Sequence, residues 1–236
     1  KITFDASAGA FVNGGSAVGL TGSIVNNSTS LQTIGHDIGL TGTKGDQTVN
    51  AAAGDIVING AISNGDASAH GIVKDGSQVL TLGGTNTYTG PTTVAAGTLR
   101  IGAAGSIADS PLITVANAAA LDVSPLASAF AVASGKTISV EAGGKVVGSL
   151  AVADGGVLTG GGSLVASTTG QSVTVNGTIS PGTAGTLNAT DGTGTLTVGD
   201  GTYDVDLHLG STSTYFWGLS SAASGAINVN GSVTID

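Results

Sequence analysis

The chain has 236 residues and a formal net charge of −9; only 9% of its residues are charged and 3% are aromatic. Its six basic residues are scattered, which argues against nucleic acid or anionic lipid as a partner, because both require clustered positive charge. Cysteine is absent and no stretch approaches the roughly 18 to 20 apolar residues of a membrane-spanning helix, so the sequence predicts no disulfide, no thiolate metal site and no membrane span in this segment.

Glycine dominates the composition, with 41 residues against 4 prolines. Hydrophobic residues make up 40% of the chain, whereas disordered chains are poor in apolar residues and rich in charge. Frequent tight turns between short strands explain this combination. No segment places apolar residues at i, i+3 and i+4 among good helix formers. The composition therefore predicts an all-β protein.

The predicted strands come in a recurring unit, in which a Val in a short strand is followed by a few turn residues and a second short strand. Asn, Asp and Gly form the turns, since they adopt left-handed backbone at low steric cost. In chain order the units are TVNAAAGDIVI (48–58), TVAAGTLRI (93–101), TVANAAALDV (114–123), SVEAGGKVV (139–147), AVADGGVLT (151–159), TVNGTIS (174–180), TVGDGTYDVDL (197–207) and NVNGSVTI (228–235).

The spacing of these units favours a solenoid. Most of the repeated Val positions from Val94 to Val198 are separated by roughly 20 to 25 residues, the length of one coil of a parallel β-helix. A β-sandwich with glycine-rich turns is the alternative, with strands roughly 8 to 12 residues apart. The low aromatic content favours the β-helix, because stacked small aliphatic residues fill a narrow coil.

One stretch resembles a known family. LTLGGTNTYTGPTTVAAGTLRIG, residues 80–102, is similar to the passenger-associated repeat of bacterial autotransporters, and the flanking segments agree with it. The resemblance implies a right-handed parallel β-helix, or solenoid, of short strands with Gly, Asn and Asp turns, displayed outside the cell. Within the stretch we expect Leu80, Leu82, Val94, Leu99 and Ile101 to point into the core, and residues 86–89 to form a short face.

The three histidines are not spaced as metal ligands. They are His36, His70 and His208, and His36 beside Asp37 is typical of a surface turn. The one acidic cluster is Asp200, Asp204 and Asp206, where apolar and polar residues alternate. We interpret it as the solvated outer face of a strand; a calcium site of carboxylate oxygens is the functional alternative, and no other cofactor is expected.

Catalytic patterns are sparse. Glu141 is the only glutamate, and Arg100, the only arginine, is expected to face solvent between Leu99 and Ile101. The nucleophile pattern G-x-S-x-G does not occur. These features favour a non-enzymatic protein, with a polysaccharide-active β-helix enzyme as the alternative.

Tyr215, Phe216 and Trp217 form the only aromatic run. One interpretation is a loop packed back onto the solenoid; the other is an exposed contact patch for a sugar or a protein. Because the interval from Val198 to Val229 exceeds one coil, residues 211–225 are predicted to be an inserted loop.

Both ends of the chain read as strands in mid-repeat, KITFDASAGAFV and INVNGSVTID, and methionine is absent. We therefore expect residues 1–236 to be one β-helix segment of a longer or processed chain. An uncapped coil also predicts end-to-end self-association, which would build a filament.

The function predicted from these features is a β-helical stalk or passenger of an extracellular protein on a bacterial cell surface. It would act as an adhesin or in cell-surface structure, through glycans or proteins of a host or neighbouring cell. A subunit of a self-assembling extracellular filament is a further alternative.

Overall fold

The computed structural model describes residues 1–42, 45–182, 195–215 and 226–236. Every regular element in these ranges is a β-strand, and they contain no helix that could cross a membrane. The chain divides into two compact units, Lys1–Ile113 and Thr114–Asp236, called unit 1 and unit 2 below. The strand β14 (Leu112–Val115) contains the boundary.

Thirteen strands lie wholly within unit 1, and most are three or four residues long. They are β1 (Ile2–Phe4), β2 (Phe11–Asn13), β3 (Val18–Leu20), β4 (Ile24–Asn26), β5 (Gln32–Ile34), β6 (Ile38–Leu40), β7 (Gln47–Ala51), β8 (Ile56–Ile58), β9 (Ile62–Asn64), β10 (Ile72–Asp75), β11 (Val79–Leu82), β12 (Thr92–Val94) and β13 (Thr98–Ile101).

The described part of unit 2 has fourteen further strands. They are β15 (Ala120–Asp122), β16 (Phe130–Val132), β17 (Thr137–Val140), β18 (Lys145–Val147), β19 (Leu150–Val152), β20 (Val157–Gly160), β21 (Ser163–Val165), β22 (Ser172–Val175), β23 (Thr178–Pro181), β24 (Thr195–Val198), β25 (Asp206–Leu209), β26 (Thr214–Tyr215), β27 (Ala226–Val229) and β28 (Val233–Ile235).

The strands of unit 1 stack as coils with three faces. The first face has the order β1-β4-β7-β10-β12, the second β2-β5-β8-β11-β13 and the third β3-β6-β9. Each pairing is parallel and joins a strand to its counterpart one coil later, as Leu80 of β11 lies between Ile56 and Leu99.

Unit 2 repeats the arrangement. Its faces have the orders β17-β20-β23-β26, β15-β18-β21-β24-β27 and β16-β19-β22-β25-β28, again with parallel pairing. The predicted all-β fold, a parallel β-helix of short strands, is confirmed, with about nine turns in all. A β-sandwich is excluded because its sheets are antiparallel.

The core of each unit follows from the period of two along a strand. In β8 and β11 the buried residues alternate with partly exposed ones, and the inward positions carry Ile or Leu. Stacked coils place like residues above one another, as at Ile34, Ile58 and Leu82. Fully burying one such side chain contributes about 1.5–3 kcal/mol.

The third face of unit 1 is interrupted in its last two coils. Its sheet ends at β9, and the counterpart segments after β11 and β13 are irregular, joined by one parallel bridge between Thr85 and Ser106. Residues 86–89 occupy this face as irregular backbone, with Asn86 and Tyr88 buried and Thr87 and Thr89 exposed, so the short face predicted for them is present without a regular strand. The Thr87 amide donates to the Ile62 carbonyl at 2.8 Å, and side-chain hydrogen bonds add to the connection between coils.

Residues 211–225 were predicted to be an inserted loop. Thr214 and Tyr215 form β26, while residues 216–225 lie outside the described part of the chain. The inserted loop therefore stays a prediction.

Candidate functional site

The apolar residues of the stretch 80–102 lie in the core of unit 1. Leu80, Leu82, Val94, Leu99 and Ile101, predicted to point inward, have no exposed surface. The prediction is confirmed. The side chain between the last two, Arg100, is exposed as expected. The apolar residues of the stretch thus serve packing between coils.

Lys74 is a buried cation that the sequence pattern did not reveal. It takes an inward position on β10 and has no exposed surface. Its ammonium donates hydrogen bonds to the carbonyl oxygens of Asp75, Gly76 and Ala96, at 2.9, 2.7 and 2.9 Å. Asp75 ends β10, Gly76 lies in the turn that follows it, and Ala96 lies in the equivalent turn one coil later. The side chain therefore fastens two successive turns from inside.

Burial dominates the protonation of Lys74. The loss of solvation lowers the pKa of its ammonium to about 8, although the carboxylates of Asp75 and Asp55 act in the opposite direction. The sequence did contain a clue, since Lys74 stands two residues after the buried Ile72, on the same face of the strand.

Asn86 closes the wall where the third face lacks a strand. Its side-chain oxygen accepts a hydrogen bond from the Ile62 amide at 2.8 Å. Its side-chain amide donates to the carbonyl oxygens of Gly84 and Ser106, both at 2.9 Å. A buried side chain thus joins the ends of three successive coils.

A chain of buried hydroxyls continues this wall. The Tyr88 hydroxyl lies 2.7 Å from Thr92 Oγ1, which donates to Ser110 Oγ at 3.0 Å. Ser110 in turn donates to the Gly90 carbonyl at 3.0 Å. Burial raises the pKa of the Tyr88 hydroxyl. These three hydrogen bonds join hydroxyl groups to one another and to a backbone carbonyl, and they involve no basic side chain that could activate a hydroxyl as a nucleophile. The hydroxyl groups therefore hold turns together.

The histidines differ in their surroundings. His36 was expected in a surface turn, but its side chain is buried, with 7% exposed, so the expectation was wrong for the position of the ring. The Nε2 atom of His36 has no hydrogen-bond partner among the described residues. The neighbouring Asp37 accepts from the Ala61 amide at 2.8 Å. His208 lies on β25 between Thr174 and Thr234 of the adjacent strands.

His70 is 1% exposed and holds a corner of unit 1. Its Nε2 lies 2.8 Å from Asp66 Oδ1 and its Nδ1 lies 3.1 Å from the Gly45 carbonyl oxygen. The Gly90 amide donates to the His70 carbonyl at 2.9 Å. The three histidines are thus held in three different settings.

Two carboxylates of the predicted acidic cluster accept hydrogen bonds from protein donors. Asp200 Oδ1 accepts from the Thr202 amide at 2.9 Å, and this bond lowers the pKa of Asp200. Asp206 Oδ1 accepts from the amide and the hydroxyl of Ser232, at 2.9 and 2.7 Å, which lowers the pKa of Asp206. Asp204 is exposed beside them.

The alternation predicted around this cluster begins later than expected. Val205 and Leu207 are buried, but Tyr203 is 39% exposed because β25 starts only at Asp206. Among the described residues there is no group of three or more His, Asp or Glu that could hold a metal ion. Calcium at Asp200, Asp204 and Asp206 therefore gains no support and stays a prediction.

The aromatic run is only partly described. Tyr215 ends β26 and is half-buried, and burial raises its pKa. Phe216 and Trp217 lie outside the described residues. The contact patch formed by the three stays a prediction.

Among the described residues, the most exposed of the large apolar side chains lie on β2 and β28. Phe11 and Val12 are 55% and 83% exposed, and Val233 and Ile235 are 51% and 73% exposed. The rings of Phe11 and Phe4 are tilted against each other, with centroids 6.5 Å apart. A shallow recess of about 420 Å³ lies beside them, lined by Thr3, Phe4, Asp5, Ser7, Ala8, Phe11 and Asn13.

The comparisons with known proteins agree with the fold. Residues 72–101 match the family model described as passenger-associated-transport-repeat, and the match takes in Lys74, Asn86 and Tyr88. The resemblance seen in residues 80–102 is confirmed, and the solenoid fits a passenger-associated β-helix repeat protein. No curated protein and no solved structure matches the chain.

Proposed function

We propose that this chain is a structural, non-enzymatic segment of a bacterial surface protein, a β-helical stalk or passenger displayed outside the cell. The passenger-associated repeat over residues 72–101 supports this setting. The stalk would hold contact surfaces in adhesion or contribute to cell-surface structure, with a glycan or protein of a host or neighbouring cell as its partner.

The observation that carries the proposal is the use of polar groups within the repeat. Lys74 and Asn86 donate to backbone carbonyls of successive turns, and Tyr88 hydrogen-bonds within the same wall. These polar groups are buried and hydrogen-bonded to backbone or hydroxyl groups, as is typical of side chains that stabilise a fold. A catalytic group would instead have to reach a substrate.

Binding to surfaces tests the adhesive part of the proposal. The labelled 236-residue chain should bind saturably to at least one bacterial or host cell surface or immobilised glycan. Replacing Tyr215, Phe216 and Trp217 together by alanine should lower that binding at least tenfold, since these residues form the predicted contact patch. Tyr203→Ala, which removes an exposed aromatic ring outside the predicted patch, is the control. Binding that survives the triple replacement would contradict the contact patch.

A second experiment tests the non-enzymatic part. Acidic and neutral polysaccharides, incubated with the chain with and without calcium, should show no change in length or reducing ends. Turnover that disappears in Asp204→Asn or Asp206→Asn would favour the polysaccharide-active enzyme and overturn this part of the proposal.

End-to-end self-association is a second candidate function, favoured by the exposed apolar residues of β2 and β28. All three residues of each of these strands are exposed. Each is an edge strand, paired on one side only, and an edge strand with exposed apolar side chains is a template for pairing with another chain. Electron microscopy of the 236-residue chain tests it: fibres one coil wide would support a filament, and short single rods at high concentration would contradict one.

A further inference from the structure

The corner that contains His70 joins two turns of unit 1. Gly42, Gly45 and Asp46 lie between β6 and β7 and are called the earlier turn below, and residues 65–71 connect β9 to β10 one coil later. His70 bonds within its own turn to Asp66 and across to Gly45 of the earlier turn. Asp66 also reaches the earlier turn, where its Oδ2 accepts from the Gly42 amide at 3.0 Å.

The partners of His70 decide its protonation. The Gly45 oxygen is a carbonyl and can only accept, so Nδ1 must donate. Asp66 accepts amide hydrogen bonds from Ser68 at Oδ1 and from Gly42 at Oδ2, and these bonds lower the pKa of Asp66 to about 2. Asp66 is therefore ionised near neutral pH, and Nε2 must donate to it as well. Only an imidazolium can donate from both ring nitrogens at once, so these two acceptors together favour the charged ring.

We propose that His70 is a pH-sensitive clasp: its imidazolium joins Gly45 of the earlier turn to Asp66 of its own turn, and its deprotonation releases one of the two bonds. A neutral imidazole has a single N–H and cannot serve both oxygen acceptors. Histidine is the side chain whose ordinary charge change falls between pH 5 and 8, the range a surface protein meets. The clasp lies within unit 1 and does not depend on the proposed adhesive function.

Among the described residues, the carboxylates beside the clasp come from its own two turns. Asp66 faces Nε2, and Asp46 accepts from the Gly71 amide at 3.0 Å beside it. The next coil brings Tyr88, a neutral titratable group near Asp46. Lys44 belongs to the earlier turn but lies outside the described residues.

The pH window of the clasp follows from its two charged members. Because the pKa of Asp66 is lowered from 3.8, its contribution is complete above pH 3.8 and is lost as the pH falls toward 2. The contribution of the imidazolium is lost in the opposite direction, as the pH rises and the ring deprotonates. The turns are joined most firmly between these limits.

Nuclear magnetic resonance of the 236-residue chain tests the clasp directly. Ring ¹⁵N shifts, assigned with His36→Asn and His208→Gln, should show both nitrogens of His70 protonated at pH 5.5 and one deprotonated by pH 9. Over the same range the hydrogen-exchange protection of the Gly42 amide should fall about tenfold, the effect of losing one charge-assisted hydrogen bond.

A matched pair of variants completes the test. His70→Gln should remove the pH dependence of Gly42 protection, whereas His208→Gln, on β25, should keep it. If His70→Gln does not fold, the ring shifts of the unaltered chain still decide. His70 neutral at pH 5.5, His70 charged up to pH 9, or Gly42 protection that does not follow its titration would each overturn the proposal.

Discussion

Lys74 illustrates how a single residue can make stability depend on pH. Its pKa falls from 10.5 in an unfolded chain to about 8 in the fold, so between these values the unfolded state binds more protons and stability rises with pH. We expect a rise of about 2 kcal/mol, below the roughly 3 kcal/mol of the full difference because solvent around the narrow coil screens the charge.

Urea unfolding of the unaltered chain and of Lys74→Met between pH 8 and 9.5 checks this prediction. The variant should lose the rise, while Lys145→Met, at an exposed position of β18, should keep it. Comparing each variant with the unaltered chain at the same pH cancels the titration of the remaining groups. An equal rise in Lys74→Met would contradict the assignment to Lys74.

Replacing Asn86 should lower the free energy of unfolding by an amount that does not depend on pH. Asn86→Leu leaves the Ile62 amide without its side-chain acceptor in the interior, whereas the carbonyls of Gly84 and Ser106 keep the backbone amides of Ser106 and Asn86 as donors. An orphaned buried amide costs about 1–3 kcal/mol, so the variant should lose about 2 kcal/mol of unfolding free energy. The exposed Asn59, changed to alanine, should stay within about 0.5 kcal/mol. Equal melting curves for both variants would show that Asn86 does not hold the wall.

At the scale of the strand and its turn, glycine allows successive coils to approach. A Cβ at Gly60 would overlap the His36 carbonyl, and a Cβ at Gly84 would come 2.5 Å from the Gly60 carbonyl oxygen. These contacts are with backbone, which cannot move aside without separating the coils. At Gly14, by contrast, an added Cβ would have nothing within 4 Å, and the backbone there is not left-handed.

The prediction is therefore that Gly60→Ala destabilises unit 1 by about 2 kcal/mol or more, whereas Gly14→Ala is neutral or slightly stabilising. Thermal unfolding followed by circular dichroism measures both. A Gly60→Ala protein that melts with the unaltered chain would mean that the coils tolerate the added carbon.

Strands were predictable to the extent that their side chains alternate. Leu80 and Leu82 mark the inward face of β11 by period alone, and they are buried as expected. The inward position of Lys74 was not predicted, because lysine is almost never fully buried. Hydrogen bonds to three backbone carbonyls stabilise its ammonium there. Residues 86–89 were expected to form a short face, and their side chains do alternate between buried and exposed. The hydrogen bonds by which Asn86 joins this face to other coils could not be predicted from the pattern.

Carboxylates also link coils, which single-sequence patterns do not reveal. Asp37 accepts from the amide of Ala61 and Asp55 from that of Val79, in both cases 24 residues further along the chain. In unit 2, Asp206 accepts from Ser232, 26 residues further along. The interval is about one coil, so these acids satisfy backbone donors where two coils meet. Carboxylates can therefore stabilise the fold although the chain has few basic partners.

For the molecule as a whole, acidic charge and exposed strands act in opposite directions. The net charge of −9 repels other copies, while exposed apolar residues on β2 and β28 favour strand pairing between copies. Repulsion between exposed charges weakens as salt shortens the screening length, from about 30 Å at 0.01 M to about 3 Å at 1 M. Burial of apolar surface is not weakened in this way.

Self-association of the 236-residue chain should therefore increase with salt, by at least tenfold in the association constant between 0.01 and 1 M sodium chloride. Sedimentation velocity measures it. Val12→Lys and Ile235→Lys each place a charge on an exposed strand position and should abolish the increase, because lysine on such a strand opposes pairing. Thr33→Lys, on the outward side of β5, adds the same charge within a strand that is paired on both sides and is the control. Two outcomes would show that charge, rather than pairing of β2 and β28, governs the association. One is an association constant that falls with salt, and the other is a loss of association in Thr33→Lys as complete as that in Val12→Lys.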